Sequence, residues 1–100
     1  MKSYRRIGAV TTTIAILRFL AEQRKPVSGA DVAKAMEIQY GTAMCHLATL
    51  EDERFVRRIG DHWELGSGLA VMWARRKALL EGSILLMRNQ LREIGVKSDA

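Results

Sequence analysis

One hundred residues, 48% of them apolar, suffice for one modest core and exclude a disordered tail. Sixteen Lys and Arg against eleven Asp and Glu give a net charge of +5 and a pI near 9.9, which favours a polyanionic partner, either nucleic acid or an anionic membrane. A single cysteine, Cys45, excludes an internal disulfide framework, and no apolar run is long enough to span a bilayer.

The chain opens on a basic arm, Met1 to Ile7, in which Lys2, Arg5 and Arg6 are candidates for phosphate or minor-groove contact. The basic start followed by apolar residues raises the question of a signal peptide, but three threonines and Arg18 interrupt the apolar stretch, which runs on into a charged helix without a typical cleavage site, so a first helix is expected instead. The chain is therefore expected to be cytoplasmic. Thr11 or Thr12 is the expected cap of a first helix that carries Ile14, Leu17, Phe19 and Leu20 inward toward Gln23, and Pro26 stops it.

Ser28 with Asp31 three residues later resembles a capping box and starts a short second helix, GADVAKAME. Its inner face is Val32, Ala33 and Met36, and the small residues Ala30, Ala33 and Ala35 suit close packing under a third helix. Glu37 to Gln39 is a three-residue turn, so the pair reads as a helix-turn-helix. The third helix, 39–52, buries Ala43, Leu47 and Leu50 and turns Tyr40, Thr42, Met44 and Cys45 elsewhere. The apolar period then changes to two. Phe55 to Ile59, a Gly60-Asp61 turn and His62 to Leu65 make a hairpin, the wing, with Arg57 and Arg58 as candidate phosphate contacts.

Gly66, Ser67 and Gly68 break the chain, so a winged helix-turn-helix domain over 1–66 and a helical tail over 67–100 are expected. In the tail Trp73, Leu80, Met87 and Ile94 repeat at seven, with Ala70, Lys77, Ile84 and Leu91 at the companion position. Leu79, Leu85 and Leu86 widen the stripe. A winged helix of this size cannot bury so much apolar helix alone, so the tail is expected to pair with a second copy through Trp73, Leu80, Ile84, Met87, Leu91 and Ile94. Gly82-Ser83 leaves open whether the tail is one helix or two. The fold class is mainly α with a small β-hairpin.

From Val10 to Leu80 the chain resembles the DNA-binding half of an IclR-type transcriptional regulator. The resemblance rests on Gly41-Thr42-Ala43, Leu47-Ala48-Thr49-Leu50-Glu51, Phe55-Val56 and Trp63-Glu64-Leu65-Gly66, in order and at consistent spacing. It implies that Leu69 to Glu81 is a linker helix joining subunits, that Ser83 to Ile94 begins an effector domain, and that the acid-binding effector domain itself is absent. The departures fall on the reading surface, where the family carries Arg at the position of Cys45 and often Ser at that of Gly41. Cysteine cannot grip guanine or phosphate as arginine does.

Gln39, Tyr40, Thr42, Met44 and Cys45 are the expected groove residues. Gln39 suits adenine, Tyr40 and Thr42 suit phosphate, and Met44 suits a thymine methyl. His46, where the family prefers Leu, is expected to be a partly buried, hydrogen-bonded side chain. Cys45 and His46 face different directions on a helix, and no other acid, base or metal cluster is evident, so neither enzyme activity nor a cofactor is expected. Two functions follow: a homodimeric regulator of double-stranded DNA, or a winged-helix interaction module, an antirepressor or assembly subunit, that has lost sequence-specific binding. A membrane-surface role for the basic tail, with Arg75, Arg76, Lys77 and Arg88 flanking apolar residues, ranks third.

Overall fold

A computed structural model describes residues 3–95. Its elements are α1 (Gly8–Ala21), β1 (Val27–Ser28), α2 (Gly29–Met36), α3 (Tyr40–Asp52), β2 (Val56–Ile59), β3 (His62–Leu65) and α4 (Gly68–Glu93). They divide into two compact units, Met1–Gly68 and Leu69–Ala100. The architecture is a winged helix-turn-helix followed by a long helix, as the apolar periods of the sequence require.

The first unit holds the core. Ile16 and Leu20 from α1, Val32 and Ala33 from α2, and Ala43, Leu47 and Leu50 from α3 meet Val56 and Trp63 of the sheet. Leu17, Phe19, Met36, Ile38, Phe55 and Leu65 seal its margins. On α1 the inward pair is Ile16 and Leu20, whereas the expected Ile14 is exposed. Both frames satisfy helical spacing, and packing selects the one that meets α2 and the sheet.

The start of α1 also differs. It begins at Gly8 behind Ile7, three residues before Thr11, and no side chain caps it. The threonine hydroxyls are used inside the helix instead: Thr11 donates to Ile7 O at 3.4 Å and Thr13 to Ala9 O at 2.8 Å. Such back-bonding satisfies the hydroxyl locally and removes it from capping. At α2 the cap is as expected, with the Asp31 N–H donating to Ser28 Oγ at 3.1 Å.

Close packing of α2 on α3 rests on Gly29 and Ala33. Ala30 and Ala35 are exposed, while a Cβ on Gly29 would stand 2.6 Å from Met44 Sδ. A two-residue strand, β1, also enters. It pairs antiparallel with β3 (Val27 with Trp63, Ser28 with His62), so the wing hairpin belongs to a three-stranded sheet of order β1-β3-β2. Two residues following a proline carry too short a pattern to be read as a strand.

The two turns around α3 share one construction. After α2, Glu37 adopts a left-handed conformation (φ 56°), with Ile38 N–H bonded to Ala33 O and Glu37 N–H to Lys34 O. After α3, Arg54 does the same (φ 64°), with Phe55 N–H bonded to Leu50 O and Arg54 N–H to Glu51 O. Each is a Schellman termination, in which the residue after the left-handed one, Ile38 or Phe55, packs on the core. The entry and exit directions of α3 are thereby fixed. Gly60 has positive φ and Asp61 does not, the sign pattern of a type II′ hairpin turn.

In the second unit α4 is a single helix through Gly82-Ser83, which resolves the choice between one helix and two. Ser83 donates to Leu79 O at 3.1 Å and is satisfied without breaking the helix, and a Cβ on Gly82 would meet nothing. No residue of α4 is buried. None of the described helices is long and apolar enough to cross a membrane.

Candidate nucleic-acid interface

The site is built outward from α3. Ala43, Leu47 and Leu50 fix one side of the helix against the core, so Gly41, Cys45, Ala48 and Asp52 come out on the opposite side, exposed. Gln39, Tyr40 and Thr42 are exposed at its N-terminal end. A Cβ on Gly41 would meet nothing within 4 Å, so the fold does not require a glycine there.

Met44 is a correction to the expected groove face. It is half-buried against the core, with its sulfur toward Gly29 on α2, because it lies only one helical step from Ala43 and faces the α2 seam. Cys45 is an exposed free thiol. His46 is part-buried beside α1, with Nδ1 2.7 Å from Thr13 Oγ1. The Thr13 hydroxyl proton serves only one of its two acceptors, and when it goes to Ala9 O the imidazole donates from Nδ1.

The side chains of α3 bring no positive charge of their own beyond His46. Residues 39–52 contain no Lys or Arg, and Glu51 and Asp52 close the helix. Positive potential at its start comes instead from the backbone. Gln39 makes no side-chain cap bond, and the N–H groups of Tyr40, Gly41 and Thr42 donate to no acceptor among the described residues. Free N–H groups aligned with the helix dipole form an anion-attracting end.

The wing supplies the side-chain cations, each differently committed. Arg57 pairs across the hairpin with Glu64, at 2.9 Å from Nε and 2.8 Å from Nη2 to Oε2, and remains largely exposed. Arg58 donates from Nε to Gly60 O at 3.0 Å and lies over the Trp63 ring, 5.3 Å from its centroid. Being adjacent on a strand, the two arginines emerge on opposite faces of the sheet. Val56, Arg58, Trp63 and Leu65 share the core-side face, whereas Arg57 and Glu64 share the other.

Arg54, to which sequence reasoning gave no role, joins them at the α3–β2 corner. A shallow depression there is lined by Arg54, Arg57, Arg58, Glu51 and Ser67. The signal was present as a charged residue where a glycine-favouring turn was needed. In the arm, Arg5 and Arg6 are exposed, and Arg6 Nη1 donates to Tyr4 O at 2.9 Å. Lys2 lies outside the described residues. The tail residues Trp73, Leu80, Ile84, Met87, Leu91 and Ile94 are all exposed. Among the described residues no group of three or more His, Cys, Asp or Glu side chains is placed to hold a metal.

A family model for the IclR helix-turn-helix domain matches residues 9–60, slightly more than half of the chain. Among solved structures, an IclR transcriptional regulator from Alicyclobacillus acidocaldarius superposes with a TM-score of 0.67 at 23% identity, covering 72% of this chain and 30% of that one. Two variants of Lactococcus lactis ZitR superpose with TM-scores of 0.53 at 22% and 23% identity. They cover 91% and 98% of this chain, and 65% and 68% of theirs. At these identities the likeness shows the fold. The chain spans less than a third of the Alicyclobacillus regulator's length. A search among curated proteins finds no significant match. The matched span takes in α1 to β2, with the Schellman turns that frame α3, and on that ground the chain belongs to the IclR helix-turn-helix family.

Proposed function

We propose that this chain is a transcription regulator that binds duplex DNA as a homodimer, with α3 in the major groove and the β2–β3 wing against the flanking backbone. The observation that carries the reading is the division of labour around α3. The helix offers a small-residue outer side without Lys or Arg and a free N-terminal end, while arginines cluster at the wing where it leaves the helix. Gln39, Tyr40, Thr42 and Cys45 are the groove residues. Arg57 and Arg58, with Lys2, Arg5 and Arg6 from the arm, contact phosphates.

With no cation on α3, most affinity comes from phosphate contacts and base discrimination is weak. Dimerisation falls to α4, whose segment from Leu80 to Ile94 carries an uninterrupted seam: Leu80, Ile84, Met87, Leu91 and Ile94. Two copies joined there present two recognition helices to successive major grooves, roughly 34 Å apart.

A protein-interaction role keeps support from one observation. Met72, Leu79 and Leu86 form a second exposed apolar row on a different side of α4, and a two-stranded seam leaves that row uncovered.

The test is fluorescence anisotropy of a random-sequence duplex across a salt series. Binding that weakens steeply with salt, with a shallower slope after Arg57→Ala and Arg58→Ala, is expected. Absence of binding even at low salt overturns the proposal in favour of the interaction module.

A further inference from the structure

We infer that Arg54 is a DNA-phosphate contact, the uncommitted guanidinium of a three-arginine cluster at the corner between α3 and the wing; the inference rests on the DNA-binding reading proposed above. The first observation is the backbone. Arg54 holds a left-handed conformation with φ 64°, a region that favours glycine and strains a side-chain-bearing residue. Nothing in the packing asks for arginine there, since its side chain is exposed and the turn is made by backbone bonds alone. The turn thus fixes where this side chain starts without using its guanidinium.

The second observation is how firmly that backbone is held. The Arg54 N–H donates to Glu51 O at 2.9 Å, and its carbonyl accepts the Gly68 N–H at 2.9 Å. Gly66 and Gly68 crowd the same carbonyl so closely that a Cβ on either would lie 2.6 Å or 2.8 Å from it. The long side chain therefore starts from a rigid corner directly after the recognition helix.

The third observation is the state of the neighbours. Arg57 is engaged by Glu64, and Arg58 by Gly60 O and Trp63, whereas Arg54 has no ion-pair or hydrogen-bond partner for its guanidinium among the described residues. Glu51 is the one carboxylate lining the depression, and it forms no ion pair with any of the three arginines. At the corner Arg54 offers the guanidinium left without a partner among the described residues, and Arg57 and Arg58 line the same depression. A phosphate of the duplex backbone fits this chemistry, since it needs charge and hydrogen-bond donors without any pattern of base edges.

The test uses the full chain and a random-sequence duplex over a salt series, with thermal melting in parallel. Arg54→Asn removes the charge while tolerating the left-handed backbone. It is expected to weaken low-salt binding roughly fivefold to tenfold and to reduce the salt slope by about 1, with the melting temperature held. Arg54→Lys keeps the slope. Arg54→Gly is expected to raise the melting temperature and still weaken binding, a combination that a purely structural arginine does not produce. Glu37→Gly, which relieves the matching strain at the other turn, raises the melting temperature and leaves binding unchanged. If the unmodified chain binds and Arg54→Asn binds equally with the same slope, the inference falls and the DNA-binding reading stands. If the unmodified chain fails to bind at any salt, both fall together.

Discussion

Replacing Glu37 by glycine tests whether the turn between α2 and α3 is built as described. Glu37 sits at φ 56° with its side chain exposed, and its backbone is committed to the Schellman bonds of the helix end. A side-chain-bearing residue in this region costs about 1–2 kcal/mol relative to glycine. Glycine gives back about 0.5–1 kcal/mol through its greater freedom in the unfolded chain. The net gain is about 0.5–1 kcal/mol, which for a domain of this size raises the melting temperature by about 3–6 °C. Thermal denaturation followed by far-ultraviolet circular dichroism measures it directly. An unchanged or lowered melting temperature refutes the reasoning, because it means that φ at 37 is not left-handed or that the Glu37 side chain makes a stabilising contact.

Gly66→Ala has the opposite sign. The added Cβ would lie 2.6 Å from the Arg54 carbonyl oxygen and 3.2 Å from Val56 backbone, neither of which moves easily, so a loss of about 1–3 kcal/mol is expected by chemical denaturation. Thr13→Val keeps the shape of α1 but removes the partner of His46, with about 1 kcal/mol lost in the same assay and the His46 ring resonances displaced in NMR spectra. Glu64→Gln breaks an exposed pair and changes stability by less than about 1 kcal/mol. It frees Arg57, so tighter duplex binding is the expected outcome in an anisotropy titration.

Much of the fold was legible because the core residues obey a single period over a long enough stretch. Ala43, Leu47 and Leu50 identify α3 from either direction, Ser28 with Asp31 marks the start of α2, and the change to period two at Phe55 announces the wing. Where two solutions satisfied the same local rule, tertiary contacts decided. Ile14 and Ile16 both fit a helix stripe, Thr11 and Thr12 are good caps that α1 bypasses, and Gly82 weakens α4 without breaking it. Short elements escaped for lack of pattern, β1 above all.

The site was less legible than the fold, since side-chain commitments depend on neighbours brought together only by folding. Nothing local to Met44 says that its sulfur meets Gly29, and the hairpin register alone sets Arg57 opposite Glu64 and Arg58 over Trp63. Arg54 escaped for a related reason, because its interest lies in a backbone angle. A missing glycine at a helix exit was the one trace of it in the sequence.

The most direct test of the central claim, that α3 and the wing together face DNA, is a titration of isotope-labelled protein with a short duplex followed through its backbone amide resonances. The largest changes are expected at Gln39 to Cys45 and at Arg54, Arg57 and Arg58, with small changes at the buried Leu47 and Leu50. Changes confined to α4, or none at a low salt concentration where phosphate contacts are strongest, would contradict it.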